Sequence, residues 1–275
     1  MPLNPMMQQK RLGVSPHLYC RPLIQPLSED PLFHVVIDTP RANATRLREL
    51  ALCAVLIPPL DYAREASQFK IIPGIAISSR APNSAIAVHF REGIHNVATV
   101  AVDPTTTAEI TLAKILLAEE FDIAPTLVPV VGSLEQMLQK ADAALLVGDA
   151  AFHQATSHLN RLDLVEAWNE MTQLPYVHAL WCGRSEELTP PEVERIQKAK
   201  EQSSSVVIQI VNEAPSASAF AFQEYLQGFS YDLTEEEELG ITEFFHYAYY
   251  HGVLPDIPKL NFYSEDAEND HTDPL

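Results

Sequence analysis

Four stretches of the sequence gather side chains that could hold a small molecule or move a proton on it. Asp103-Pro-Thr-Thr-Thr-Ala-Glu109 follows a β-branched run and opens a helical pattern. Free backbone N–H groups at a helix start, with the hydroxyls of Thr105, Thr106 and Thr107, offer a place for an anion. A plainer role suits the same residues, a capping box of Thr106 with Glu109, and both can hold at once. Ser78-Ser-Arg-Ala-Pro-Asn-Ser84 is a polar loop between two apolar runs. Asn83 and Ser84 bring an amide and a hydroxyl to it, and a guanidinium beside them could fork onto a carboxylate, although such residues also favour turns for local reasons. His17-Leu-Tyr-Cys-Arg-Pro-Leu23 comes directly after the first strand, where an open α/β sheet presents its ligand-facing loops. There His17 can serve as a base near neutrality, with Tyr19 and Arg21 beside it, while a lone histidine next to a proline is also an ordinary packing residue. In Asp142-Ala-Ala-Leu-Leu-Val-Gly-Asp149 a strand runs into Gly148-Asp149. Asp149 either caps the following turn or orients a group in a cleft.

No metal or nucleotide motif accompanies these stretches. His246 and His251 lack the spacing of a zinc helix or a facial triad, and the chain has no Walker loop, no GxGxxG and no GxSxG.

The elements that must position these residues alternate. Short β-branched runs bounded by Pro, Gly or Asp are RLGVSP, HVVIDT, CAVLIP, KIIPGIAISS, SAIAVHF, VATVAVD, TLVPVV, AALLVGD, VHALWC and SSVVIQIV. Between them RANATRLREL, AEITLAKILLAEEF, SLEQMLQKA and VEAWNEMT show helical apolar spacing. The pattern is that of an α/β protein with a mostly parallel or mixed sheet and crossover helices. From about Thr189 the texture turns helical. Thr234 followed by Glu237 reads as a capping box there, and Gly252 as a C-terminal stop. The acidic tail at 264–275 lacks an apolar core and is expected to be disordered.

A net charge of −19 argues against nucleic acid as a partner, since no basic excess exists to release phosphate counterions. A small anionic ligand must then be held by local donors. No apolar stretch approaches the roughly 18 residues of a membrane span, and the N-terminal residues show no export signal, so a cytoplasmic protein without membrane contact is expected. Three widely spaced cysteines, Cys20, Cys53 and Cys182, fit reduced thiols.

Taken in order, GVSPHLYCRPL, VLIPPLDYAR, FKIIPGIAISSRAPNSAIAVHF, VAVDPTTTAEITLAKILL, DAALLVGDAAF, DLVEAWNEMTQLPYVHALWCGR and YLQGFSYDLTEEEELGITEFF resemble the chorismate dehydratase family of the futalosine route to menaquinone, from about Leu12 to Leu254. The resemblance implies a type II periplasmic-binding-protein fold of two lobes used inside the cell. One lobe would combine residues 1–91 with 182–275 and the other would span 92–181, with crossings at VHF and HALWC acting as hinges. It also implies removal of water from chorismate, giving 3-[(1-carboxyvinyl)oxy]benzoate without metal or organic cofactor. Ser84 matches the family's cleft serine, and Thr105 and Thr106 its hydroxyl pair before the helix. Tyr19 stands where the family has a cleft asparagine, Pro59 for a serine, Ala81 for a glycine, Thr107 for an arginine and Ala108 for a threonine.

Two functions are therefore expected to compete. In the first, a lyase acts on chorismate or a related carboxylate, with Ser84, Thr105 and Thr106 holding acid groups and His17 or Tyr19 moving the proton. Arg21, Asn83, Thr107 and Asp149 complete its binding set. In the second, the same cleft captures a small aromatic or cyclic carboxylate without turnover, and closure is the output.

Overall fold

The computed structural model describes residues 9–155, 159–215 and 218–263, so the acidic tail lies outside the described residues. Among them, ten strands form two five-stranded sheets. The first contains β1 (Lys10–Val14), β2 (Phe33–Ile37), β3 (Ala54–Ile57), β4 (Lys70–Ser79) and β10 (Tyr176–Gly183), in the order β2-β1-β3-β10-β4. The second contains β5 (Ile86–Phe90), β6 (Thr99–Val102), β7 (Thr126–Pro129), β8 (Ala143–Val147) and β9 (Asn160–Asp163), in the order β7-β6-β8-β5-β9. In each sheet the leading strands pair parallel, β1 with β2 and β3, and β6 with β7 and β8. The strand that returns from the other half pairs antiparallel, β10 with β3 and β4, and β5 with β8 and β9. Both sheets are therefore mixed. Short β9 carries no β-branched run, and nothing in its Asn-Arg-Leu-Asp sequence marks a strand.

This pairing moves the crossings expected at VHF and HALWC. Those residues sit inside β5 and β10, each hydrogen-bonded on both sides, and a strand held on two edges cannot swivel. The chain instead passes between sheets at residues 80–85 and returns through 164–175.

Eleven α-helices are described. α1 (Arg21–Glu29), α2 (Pro40–Arg48), α3 (Pro59–Ala63), α8 (Pro190–Lys198), α9 (Ser203–Glu213), α10 (Ala219–Gln227) and α11 (Glu235–Tyr250) belong to the first half. α4 (Thr107–Phe121), α5 (Leu134–Leu138), α6 (Asp149–His153) and α7 (Leu164–Thr172) belong to the second. Their starts follow local chemistry. Pro40 and Pro190 occupy first helical positions, where a missing N–H costs nothing, and Thr234 with Glu237 forms the expected capping box of α11. Gly252 follows α11 at φ +69°, the left-handed conformation of a helix stop.

The run SSVVIQIV, expected as a strand, lies in α9. Its buried residues are Ser203, Val206 and Ile210, a spacing of three and four, while a strand would bury every second residue. β-branched content was the misleading signal, because packing against α1 and α10 outweighs it.

One apolar core runs through both halves. Trp168 of α7 packs edge-on against Tyr176, Phe244 and Tyr247, with ring centroids 6.0–6.2 Å apart, and so ties the second sheet's helices to β10 and α11. The sheets are thus joined along one side. Cys20 and Cys182 are buried free thiols in this structure, and Cys53 is partly buried and free.

Candidate functional site

Opposite the joined side, the carboxyl ends of the parallel strands in both sheets face one another, the place where open α/β sheets present ligand-binding loops. After β1 the chain turns through Pro16 and His17 into a short 3-10 turn, Leu18–Cys20. This turn meets the β8–α6 junction, where the Leu18 N–H donates to Asp149 Oδ1 at 2.9 Å. Gly148 makes the approach possible, since its φ is +60° and a Cβ there would lie 2.2 Å from His17 Nδ1. Asp149 thus caps an element of the opposite half by receiving a bond across the gap.

Behind this contact is a cavity of about 230 Å³. His17 and Thr39 line it from the first half, and Asp103, Thr105, Thr106 and Glu109 from the start of α4, with an apolar floor that includes Leu145 and Val147. No lysine or arginine is among the described residues lining it. The threonine hydroxyls are partly engaged. Thr105 donates from its hydroxyl (2.7 Å) and its N–H (2.9 Å) to Asp103 Oδ1, and Thr106 donates to the Asp103 carbonyl at 2.9 Å. Thr106 makes no side-chain cap bond, so the capping box with Glu109 does not form.

Glu109 is instead turned into the cavity and is 7% exposed. Burial, with Asp61 across the interface adding to it, raises its carboxyl from 4.5 to about 7 against a smaller opposing effect of its own backbone N–H. His17 moves the other way, lowered from 6.5 by burial and partly restored by the Asp149 charge. A carboxyl shifted toward its protonated form and an imidazole shifted toward its neutral form thus line the same cavity. Glu109 was legible in the sequence only as a cap, because its burial depends on α3 and β10 arriving from the other half of the chain.

Tyr19 lies behind His17, one residue removed from the cavity. It is 4% exposed, stacks on His17 (5.1 Å, 19°) and on Phe229 (4.9 Å, 26°), and tilts against His178 at 5.5 Å. His178 lies 2.6 Å from Ser79 Oγ through Nε2, and burial lowers it to about 3, so it is neutral at physiological pH. Two buried donors near this aromatic cluster, Asn83 Nδ2 and the Tyr225 hydroxyl, have no hydrogen-bond partner among the described residues. α10 reaches the second half through Phe222 and Tyr225, whose rings lie 5.3 and 4.3 Å from Phe152 of α6.

The expected site residues are therefore divided. His17, Thr105 and Thr106 meet at the cavity, with Asp149 at its edge. Thr107 faces α3, accepting from Arg64 Nη1 at 3.3 Å. Ser84 sits in the 80–85 passage at φ 58°, its N–H on Asp163 Oδ2 (2.8 Å) and its hydroxyl taking Arg161 Nη1 (3.1 Å). Neither Ser84 nor Asn83 lines the cavity, and the Asn83 Oδ1 is occupied by the Ala85 N–H at 3.0 Å. Arg21 is half-exposed on α1, 3.9 Å from Glu213 of α9, and takes no part in the cavity. Among the described residues no group of three or more His, Cys, Asp or Glu is placed to hold a metal ion, and no helix is long and apolar enough to cross a membrane.

Comparison with known proteins agrees with this architecture. A family model described as menaquinone biosynthesis matches residues 10–250. A chorismate dehydratase of Thermus thermophilus is 24% identical over 213 residues, which are 69% of this chain and 77% of that protein. Among solved structures, a protein from Archaeoglobus fulgidus superposes with a TM-score of 0.65 at 19% identity, covering 90% of this chain and 98% of its own. A Candida albicans protein described as having the generic periplasmic binding protein fold gives 0.66 at 9% identity, covering 95% and 99%. The fold is periplasmic-binding-protein-like, as the sequence resemblance implies.

Proposed function

This chain belongs to the menaquinone-biosynthesis family, and within it we propose a lyase that eliminates water from chorismate or a closely related cyclic hydroxycarboxylate. The observation that carries the proposal is the partly open cavity between the halves, which His17 lines together with Thr105 and Thr106 at the start of a 15-residue helix. Forming an aromatic ring by loss of water needs a base for a ring proton and anchors for carboxylates, and it needs the reacting groups held away from bulk water. His17 has the protonation state of the base. The N-terminus of α4 supplies partial positive charge where the walls hold no cation. The halves are connected at 80–85 and 173–175, and the Leu18–Asp149 bond joins them across the cleft mouth.

A second function is favoured by Tyr19. Its ring fills the space beside His17 where the family resemblance puts an asparagine, and Thr105 and Thr106 already bond to Asp103. In that case the cleft holds a small carboxylate without converting it.

Purified protein incubated with chorismate, with the aromatic product followed by absorbance and identified by mass, separates the two. The lyase gives 3-[(1-carboxyvinyl)oxy]benzoate in proportion to enzyme. Thermal stabilisation by chorismate with no product at stoichiometric enzyme would establish the binding function in its place.

A further inference from the structure

Glu109 is a carboxyl group buried where no charge partner meets it. On α4 it is the third helical residue, and polar groups from both halves of the chain act on it. Asp61 and Arg64 are on α3, Tyr19 is in the 3-10 turn, Tyr176 is on β10, and Asp103 and His17 are on the cavity walls. Arg64 is the one cation in this set, and it is already committed to Asp61 and Thr107, each at 3.3 Å. An ionised Glu109 would therefore meet the charge of Asp61 with no cation of its own to offset it. The protonated form keeps an O–H to donate into the cavity. The Thr105 hydroxyl donates to the Asp103 carboxylate and the Thr106 hydroxyl to the Asp103 carbonyl.

We propose that Glu109 is the catalytic acid of this cleft, giving its carboxyl proton to the hydroxyl group that leaves the ligand. The assignment rests on the elimination reading above and deepens it. His17 takes the ring proton and becomes imidazolium, and the C–H electron pair forms the new ring double bond. The C–O bond breaks with its electrons on oxygen, the Glu109 proton joins that oxygen, and water departs. The protein is left with one imidazolium and one carboxylate, so its net charge is unchanged, and transfer of the proton from His17 to Glu109 restores the starting state. Because Glu109 belongs to the second half and Asp61, whose charge raises it, to the first, closing the cleft also favours its protonated form.

The test compares the wild-type chain with Glu109→Gln and Glu109→Asp, using chorismate as the probe. Glu109→Gln is expected to lower kcat by about 10²–10⁴-fold with a much smaller change in KM, and to remove the limb of the kcat/KM profile that falls near pH 7. Glu109→Asp restores part of the rate. Retention of kcat within about twofold, or a raised KM with unchanged kcat, would overturn the acid role while leaving the lyase reading intact. A measurement independent of turnover accompanies it. The infrared difference spectrum between wild type and Glu109→Gln should show a protonated carboxyl band near pH 6 that disappears above about pH 8. Absence of that band overturns the proposal on its own, and a band in a wild-type protein that does not convert chorismate overturns the elimination reading, and the acid role with it.

Discussion

Replacing Tyr19 by the asparagine that the family resemblance puts at its position should trade stability for ligand space. The ring is 4% exposed and lies against three others, with centroids 4.9 Å from Phe229, 5.1 Å from His17 and 5.5 Å from His178. Truncating a buried aromatic residue costs about 3–5 kcal/mol, of which each stacked pair supplies about 0.5–1.5 kcal/mol. Asparagine keeps part of the volume but brings an amide into an apolar setting, at about 1–3 kcal/mol if unpaired. With the retained volume offsetting the amide, a net loss of about 3–5 kcal/mol follows, or a fall in Tm of about 6–20 °C for a chain of this size. The vacated space joins the cavity to the aromatic cluster where Asn83 Nδ2 and the Tyr225 hydroxyl have no partner, so affinity for a cyclic carboxylate should rise in the same variant. Urea titration reads the first effect as a lower midpoint with unchanged slope, and calorimetry with chorismate reads the second. Stability within about 0.5 kcal/mol of wild type would refute the role of Tyr19 as a packed wall. Lost stability without gained affinity would refute the claim that the ring occupies ligand space.

Three further outcomes are expected. Gly148→Ala places a Cβ 2.2 Å from His17 Nδ1 at a φ of +60°, which should cost about 1–3 kcal/mol and hold the halves apart, seen as a larger radius of gyration in solution scattering; an unchanged radius would contradict the contact. Asp149→Asn keeps an acceptor for the Leu18 N–H but removes the charge that raises His17, so the His17 imidazole should titrate lower still by NMR; an unmoved titration would contradict the pairing. His178, lowered from 6.5 to about 3, and His89, lowered to about 4, are neutral when folded, so the stability they support is lost as pH falls below 6.5. Glu109 acts with opposite sign, its raised value making stability fall as pH rises from 4.5 to about 7. The acid-side slope should therefore steepen below about pH 4.5, and His178→Gln should lessen it by about 1.4 kcal/mol per pH unit between about pH 3 and 6.5. Parallel urea-midpoint curves for the two proteins would contradict the neutral buried histidine.

Much of the fold is local in origin and could be read directly. β-branched runs ended by Pro, Gly or Asp marked nine of the ten described strands, and the α11 capping box needed only Thr234 and Glu237. What failed was decided at a distance. β-branched residues of α9 are helical because α1 and α10 meet them every three or four positions. VHF and HALWC carry strand character, and only their pairing partners show that each lies inside a sheet. In the site, His17, Thr105 and Thr106 were recognisable by side-chain type next to strand ends. Arg21 and Ser84 were equally good by type, yet Glu213 and Arg161, both remote in sequence, engage them elsewhere. Glu109 is the converse, since its local context says cap and its burial comes from the other half.

The most direct measurement is a crystal structure of the protein with 3-[(1-carboxyvinyl)oxy]benzoate bound. Ligand between the sheets, with a carboxylate at the start of α4 beside Thr105 and Thr106 and the ring between His17 and Glu109, is the predicted result. Ligand held only near Asn83 and Ser84, with the cavity at His17 unchanged, would contradict the account.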